Sequence, residues 1–173
     1  METQAFARIY DAHYPRVFRY LVGRIRKPQD AEELAAEVFT TALESLERGA
    51  EPQQVGSWLV GIADHLASRF WRIQVSEPRV YEMDTRAGAD PEELAIDRLQ
   101  GRALRRCLDS LSPDHRRTLL LRIVAGLSAR EVAEIMGKTE EAVRGLQYRA
   151  LNALRKHWTE AERRNGLLHT PCP

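Results

Sequence analysis

The 173-residue sequence contains little of what disulfide-rich or membrane proteins need. It has two cysteines, Cys107 and Cys172, which are too few for a disulfide scaffold. No apolar run approaches the roughly 18 residues that cross a bilayer. The N-terminus has neither the basic leader nor the apolar core of a secretory signal. The sequence therefore favours a cytoplasmic protein, with Cys107 expected to be a buried thiol and without membrane insertion.

Catalytic and metal-binding patterns are also missing from the sequence. The five histidines are scattered, and no HExxH, CxxC or glycine-rich phosphate loop occurs. Asp64 and His65 are adjacent, so on a helix their side chains point about 100° apart and form a poor acid–base pair. We therefore predict no enzyme, no metal ion, no cofactor and no small-molecule substrate.

Charge is distributed unevenly along the chain. The net charge of +1 combines −1 for residues 1–73, −4 for residues 74–100 and +6 for residues 101–173. A basic C-terminal part behind an acidic middle is typical of a nucleic-acid-binding module on a tether. Charges that only solvate helices are the alternative.

Apolar residues recur with the helical period along most of the chain, and no strand-like alternation occurs. Residues 31–46 form one apolar stripe and residues 55–73 form a second. Residues 6–26 predict a first helix, or two helices broken at Pro15. We therefore expect an all-α protein.

The helical pattern lapses between residues 74 and 90 and resumes at Pro91, a favourable first-turn residue. The expected architecture is two small helical domains, 1–73 and 91–158, on a flexible linker, 74–90, followed by a tail, 159–173. Within the second domain, Ser112 and Pro113 begin a helix whose apolar residues are Leu119, Leu120, Ile123 and Val124.

Residues 127–149, LSAREVAEIMGKTEEAVRGLQYR, have the pattern of a helix-turn-helix. Ser128 and Glu131 have the spacing of a capping box, which predicts the start of a helix. Gly137 can take the left-handed conformation that ends this helix, and Thr139 can cap the longer one that follows. This arrangement indicates a DNA-reading unit, with an αα-hairpin used only for packing as the alternative.

Polar side chains of this unit are the candidates for DNA contact. Arg and Gln make paired hydrogen bonds to guanine and adenine edges, and Arg and Lys neutralise phosphates in a salt-dependent way. The candidates are Arg130, Lys138, Thr139, Glu141, Arg144, Gln147, Tyr148 and Arg149.

Three segments resemble parts of bacterial RNA polymerase sigma factors. Residues 127–155, with the preceding SLSPDHRRTLLLR, are similar to the region 4 helix-turn-helix. DAEELAAEVFTTAL at 30–43 is similar to the region 2 helix that docks on the clamp of core polymerase, and GSWLVGIADHLASRFWR at 56–72 to the stretch that melts the minus-10 element. Regions 2 and 4 alone resemble the extracytoplasmic-function (ECF) subgroup, and residues 146–150 resemble a variant common among actinobacterial members.

The resemblance implies a sigma factor that binds the clamp and flap of core RNA polymerase and directs it to promoter DNA under an anti-sigma factor. The helix-turn-helix would read the minus-35 element. The implied polymerase contacts are Asp30, Glu33, Leu34, Glu37, Val38, Phe39 and Thr41, and the implied minus-10 contacts are His65, Ser68, Arg69, Trp71 and Arg72. Like charges one turn apart on an acidic helix face cost a few tenths of a kcal/mol per pair, which a basic partner surface would recover.

Asp64, His65 and Arg69 depart from the family pattern, which usually has Arg, Asn and Asp there. An acid that faces DNA weakens phosphate contact, so we expect unusual minus-10 specificity.

Two rival functions are an ordinary dimeric helix-turn-helix regulator, which would bind a palindrome by itself, and a polymerase-docking module that does not read DNA. The second predicts that Arg144→Ala and Gln147→Ala leave transcription unchanged.

Overall fold

The computed structural model describes residues 3–25, 27–76, 101 and 103–165, and every regular element in these ranges is a helix, as predicted. In chain order the elements are α1 (Thr3–Arg24), α2 (Pro28–Glu47), α3 (Val55–Ser76), α4 (103–109), α5 (Pro113–Leu119), a π-helical turn (Leu120–Val124), α6 (Ala129–Met136) and α7 (Glu140–Asn165). The predicted linker beyond Ser76, the predicted helix start at Pro91 and the last eight residues of the predicted tail lie outside the described residues. No helix in the described ranges is long and apolar enough to cross a membrane.

Helices α1, α2 and α3 pack on one another and form the N-terminal bundle. α1 runs unbroken through Pro15, so the chain forms one helix here. The apolar stripe of α2 is buried as its periodicity predicts, whereas Ile73, near the end of the α3 stripe, is exposed. The core of this bundle consists of Val17, Tyr20, Leu21, Ile25, Ala31, Leu34, Ala35, Val38, Phe39, Ala42, Leu59, Val60, Ala63, Leu66 and Ala67.

Helices α4 to α7 and the π-helical turn form the C-terminal bundle, in which α7 packs on α5 and α6. The expected apolar face of the helix after Pro113 is partly wrong. Leu120 and Leu121 are buried, but Ile123 is 59% exposed and Val124 also reaches solvent. The reason is that the wider π turn changes the angular spacing of residues after Leu119, so that the α-helical period no longer applies.

The two bundles are in contact, which the periodicity within each segment did not predict. The π-helical turn packs on α1, and α6 touches α3. Leu121 and Leu127 belong to the same buried cluster as Val17 and Leu21 of α1. The described residues therefore share a core that crosses the boundary between the predicted domains.

Candidate nucleic-acid interface

Helices α6 and α7 form the predicted helix-turn-helix, and local hydrogen bonds explain its geometry. The Glu131 backbone N–H donates to Ser128 Oγ at 3.2 Å, and the Ser128 N–H donates to Glu131 Oε2 at 2.7 Å, which completes the capping box. Gly137 is left-handed at φ 62°, a conformation that glycine adopts without steric cost. Thr139 Oγ1 then accepts from the Ala142 N–H at 3.1 Å, so this predicted contact residue serves as the cap of α7.

The outer face of α7 presents two of the predicted base-reading side chains, one helical turn apart. Arg144 is 68% exposed in its side chain, and Tyr148 is 69% exposed. Arg144 Nη2 donates to Glu140 Oε1 in an i,i+4 surface pair. Such a pair contributes little to stability, so Arg144 can exchange Glu140 for another acceptor. The exposed Arg149 lies close to Gly145, where an added Cβ would stand 3.3 Å from its Nη1.

Gln147 is placed differently from Arg144 and Tyr148. Its Oε1 accepts a hydrogen bond from Arg122 Nε at 2.8 Å, and Arg122 also donates to the Leu127 carbonyl. Paired recognition of adenine needs both the oxygen and the nitrogen of the amide. Because the oxygen is already engaged inside the C-terminal bundle, Arg144 is the stronger candidate for base contact.

The remaining candidates in this unit have surface positions suited to phosphates. Lys138 Nζ lies 3.1 Å from Asp114 Oδ2, and the exposed Arg130 lies 3.3 Å from Glu134 Oε1. Such exposed pairs are worth about 1 kcal/mol or less, so phosphate can compete for these cations. Glu141 is exposed in the first turn of α7.

The predicted minus-10 candidates lie along α3, in two environments. His65, Arg69 and Arg72 are exposed, whereas Ser68 and Trp71 are half-buried against α1. The Trp71 indole N–H donates to the Arg24 carbonyl at 3.1 Å, and Ser68 Oγ accepts from Arg24 Nη2 at 3.2 Å. The structure therefore brings all five to one helix but anchors Ser68 and Trp71 within the N-terminal bundle.

The predicted polymerase contacts on α2 divide into a surface set and a buried set. Glu33 is exposed, and Asp30, Glu37 and Thr41 are half-exposed, with Glu37 paired to Arg69 of α3. Leu34, Val38 and Phe39 are buried and face the core. Their prediction as direct contacts is therefore corrected: they hold α2 against α1 and α3, and the polar set forms the available surface.

Asp64, whose charge would weaken phosphate contact if it faced DNA, is only 2% exposed. Its Oδ1 accepts from the Tyr20 hydroxyl at 2.6 Å and from Arg117 Nε of α5 at 2.9 Å. Burial, followed by the Asp64 charge, raises the pKa of Tyr20 well above its ordinary value, so the phenol remains a donor. Sequence reasoning missed Arg117; the available signal was that Asp64 falls between the apolar positions Val60 and Ala67, where an acid requires a buried partner.

The capping box makes stability depend on pH. The hydrogen bond from the Ser128 backbone, with further bonds from the Ser128 and Ser57 hydroxyls, lowers the pKa of Glu131 below its ordinary 4.5. A lowered carboxyl pKa contributes stability that is complete above pH 4.5 and is lost as pH falls through the folded-state value. In urea titrations, the free energy of unfolding should fall less for Glu131→Gln than for the wild type as pH is lowered from roughly 5 to 3. Glu134→Gln is the matched control, and parallel pH curves for Glu131→Gln and the wild type would contradict the assignment.

Comparison with known proteins agrees with this geometry. Residues 9–76 match the Sigma-70 region 2 family, and residues 107–156 match the Sigma-70, region 4 family. The chain is 33% identical over 159 residues to the ECF RNA polymerase sigma factor BldN of Streptomyces coelicolor, a match that covers 88% of this chain and spans 60% of BldN. It is 31% identical over 164 residues to the ECF RNA polymerase sigma factor SigD of Mycobacterium tuberculosis, covering 89% of this chain and 77% of SigD.

Two solved structures share the fold at low sequence identity. The sigma factor RpoE in complex with the anti-sigma factor NepR from Bartonella quintana has a TM-score of 0.72 at 17% identity, covering 91% of this chain and 98% of that chain. CnrH in complex with the cytosolic domain of CnrY has a TM-score of 0.69 at 19% identity, covering 90% and 88%. The two matched regions, in this order, and the sequence identity to SigD show that the chain belongs to the ECF family of RNA polymerase sigma factors.

Proposed function

We propose that this chain directs promoter-specific transcription initiation and that three of its surfaces have separate binding roles. The polar face of α2 binds the clamp of core RNA polymerase, the exposed residues of α3 act at the minus-10 element, and the outer face of α7 reads the minus-35 element. No bond is made or broken by the protein, which contributes binding energy that places the polymerase and stabilises open DNA. Contact with polymerase and promoter DNA implies a cytoplasmic location.

The main support for this proposal is the exposure of polar side chains on the outer face of α7. Arg144 and Tyr148 project from a helix that is rigidly positioned by the capped α6 and by buried Val143 and Ala150 on its inner side. A preorganised guanidinium can make paired hydrogen bonds to a guanine in the major groove. Lys138 and Arg130 add phosphate contact near the turn, which fixes the register of the helix on DNA.

The contribution of α3 to DNA opening is proposed from its exposed basic residues. His65, Arg69 and Arg72 follow the helix over two turns, so they can track a phosphate backbone. Trp71 contacts the Phe70 ring edge-on and donates to the Arg24 carbonyl, and we propose that the solvent-facing part of its half-buried ring stacks on an unpaired base. Stacking of this kind is worth about 1–3 kcal/mol per base.

An anti-sigma factor is part of the proposal because RpoE and CnrH were solved with the partners NepR and CnrY. Such a partner would regulate the chain by competing for the surfaces that bind polymerase and promoter. The flap of the polymerase is the proposed docking place for the C-terminal bundle.

The test is transcription in vitro with core polymerase, with and without this chain, on a genomic promoter library. We expect promoter-dependent transcripts only when both are present, and their yield should fall as salt rises because phosphate contacts release counterions. The proposal would be contradicted if no template gave a promoter-dependent transcript. Tight binding of the chain alone to a palindrome, as a dimer, would favour the ordinary regulator instead.

A further inference from the structure

A glycine lies on the outer face of α7, the surface proposed to read the minus-35 element. Gly145 follows Arg144 directly and precedes Tyr148 by three residues, and both of these side chains are exposed. Apart from proline, glycine is the least favourable residue in a helix interior. Its presence here therefore lowers the stability of α7 and needs a compensating reason.

The described part of the chain does not supply this reason. Gly145 does not have the positive φ that favours glycine at Gly137. Close packing does not require it either, in contrast to Gly23, where an added Cβ would stand 2.6 Å from Leu120 Cδ2. The three atoms nearest to a Cβ added at Gly145 all belong to the guanidinium of Arg149, the closest at 3.3 Å. Arg149 is exposed, so the flexible end of its side chain can move aside.

The missing side chain leaves a recess on the surface of α7. Glu141, Tyr148 and Arg149, which lie one helical turn from Gly145, are all exposed and surround this recess. Backbone N–H and C=O groups in a helix interior are already paired with each other in i→i−4 hydrogen bonds. The floor of the recess is therefore apolar Cα–H surface without a free donor or acceptor.

The chemistry of this floor decides which part of a base pair fits the recess. In the major groove, base pairs present hydrogen-bond donors and acceptors and one apolar group, the C5-methyl of thymine. A donor or acceptor pressed against the floor would lose its water partner without a replacement, which is unfavourable. A methyl group has no such partner to lose, and its burial is favourable.

We propose that the recess at Gly145 receives the C5-methyl of a thymine in the minus-35 element, which makes Gly145 a specificity-determining residue. A side chain at this position would hold α7 away from the base edge. Arg149 leaves the recess when DNA binds and contacts a phosphate instead. This inference rests on the proposed function and adds one base that α7 selects.

Filling the recess should move stability and transcription in opposite directions. Gly145→Ala should raise the urea midpoint of unfolding by about 0.3–1 M, because alanine is the best helix former. The same variant should lower transcription with core polymerase from minus-35-dependent promoters by about threefold or more, and the larger Gly145→Leu should lower it further. The matched control is Gly101→Ala, at an exposed glycine where an added Cβ meets nothing within 4 Å, and it should leave transcription unchanged.

Replacing single minus-35 thymines with deoxyuridine isolates the methyl contact, because the two bases differ only in the C5-methyl. At one position we expect the wild type to lose about threefold or more of its transcription, the value of one buried methyl group. Gly145→Ala should lose less at this position, because its Cβ takes the place of the methyl. The Gly101→Ala variant should lose as much as the wild type.

The proposal is overturned if Gly145→Ala is less stable than the wild type, if it transcribes as well as the wild type, or if it is equally sensitive to deoxyuridine. It is also overturned if no single methyl loss lowers wild-type transcription. A wild-type chain that gives no promoter-dependent transcript with core polymerase on any template would instead contradict the proposed function, and this inference with it.

Discussion

Replacing Arg144 with alanine is expected to lower transcription from promoters that depend on a minus-35 element by about tenfold or more. A paired arginine–guanine contact is worth about 1–3 kcal/mol of discrimination, and the Arg144 side chain is 68% exposed on the outer face of α7. Runoff transcription with core polymerase, on templates with an intact or a scrambled minus-35 element, measures the effect. The loss should appear only on the intact template.

Two matched variants separate base reading from other roles. Arg155→Ala removes an exposed arginine from the same helix, outside the predicted contacts, and should have a much smaller effect. Gln147→Ala should also cost less than Arg144→Ala, because its amide oxygen is engaged by Arg122. If Arg144→Ala and Gln147→Ala both left transcription unchanged, the chain would dock on polymerase without reading DNA.

Replacing Leu121 with alanine is expected to lower the free energy of unfolding by about 2–5 kcal/mol. Leu121 is fully buried in the cluster shared by the two bundles, so the truncation leaves a cavity that neither bundle alone can close. Urea denaturation followed by circular dichroism measures the change through the transition midpoint.

The matched control for Leu121 lies two residues away in the same π-helical turn. Ile123 is exposed, and Ile123→Ala should change stability by no more than about 0.5 kcal/mol. Equal costs at the two positions would show that the turn is α-helical in solution, with Ile123 returned to the core.

The departures from the family pattern in α3 have a structural explanation in two of three cases. Asp64 replaces a usual arginine because it faces Arg117, and Arg69 replaces a usual acid because it pairs with Glu37 of α2. His65 is exposed and lines a cleft between α3 and α6. The unusual minus-10 specificity expected from Asp64 therefore has no basis in direct DNA contact by that residue.

Local features of this protein were determined by the sequence alone. The helical periods, the Ser128–Glu131 capping box and the left-handed Gly137 depend on groups a few residues apart, so the helix-turn-helix could be predicted in detail. The resemblance to sigma factors further predicted that regions 2 and 4 follow one another along the chain. It also led to the wrong expectation that Leu34, Val38 and Phe39 contact polymerase, because a family motif does not separate core positions from surface positions.

Only the tertiary structure decided how the two bundles meet. Asp64 and Arg117 are 53 residues apart, and no period or composition in a single sequence identifies which buried acid pairs with which distant arginine. The π-helical turn, which sends Leu121 inward and Ile123 outward, likewise depends on packing against α1. Hydrogen bonds between near neighbours can be predicted from the sequence, whereas contacts between distant segments depend on how complete surfaces fit, and here those contacts join the two bundles through a shared buried core.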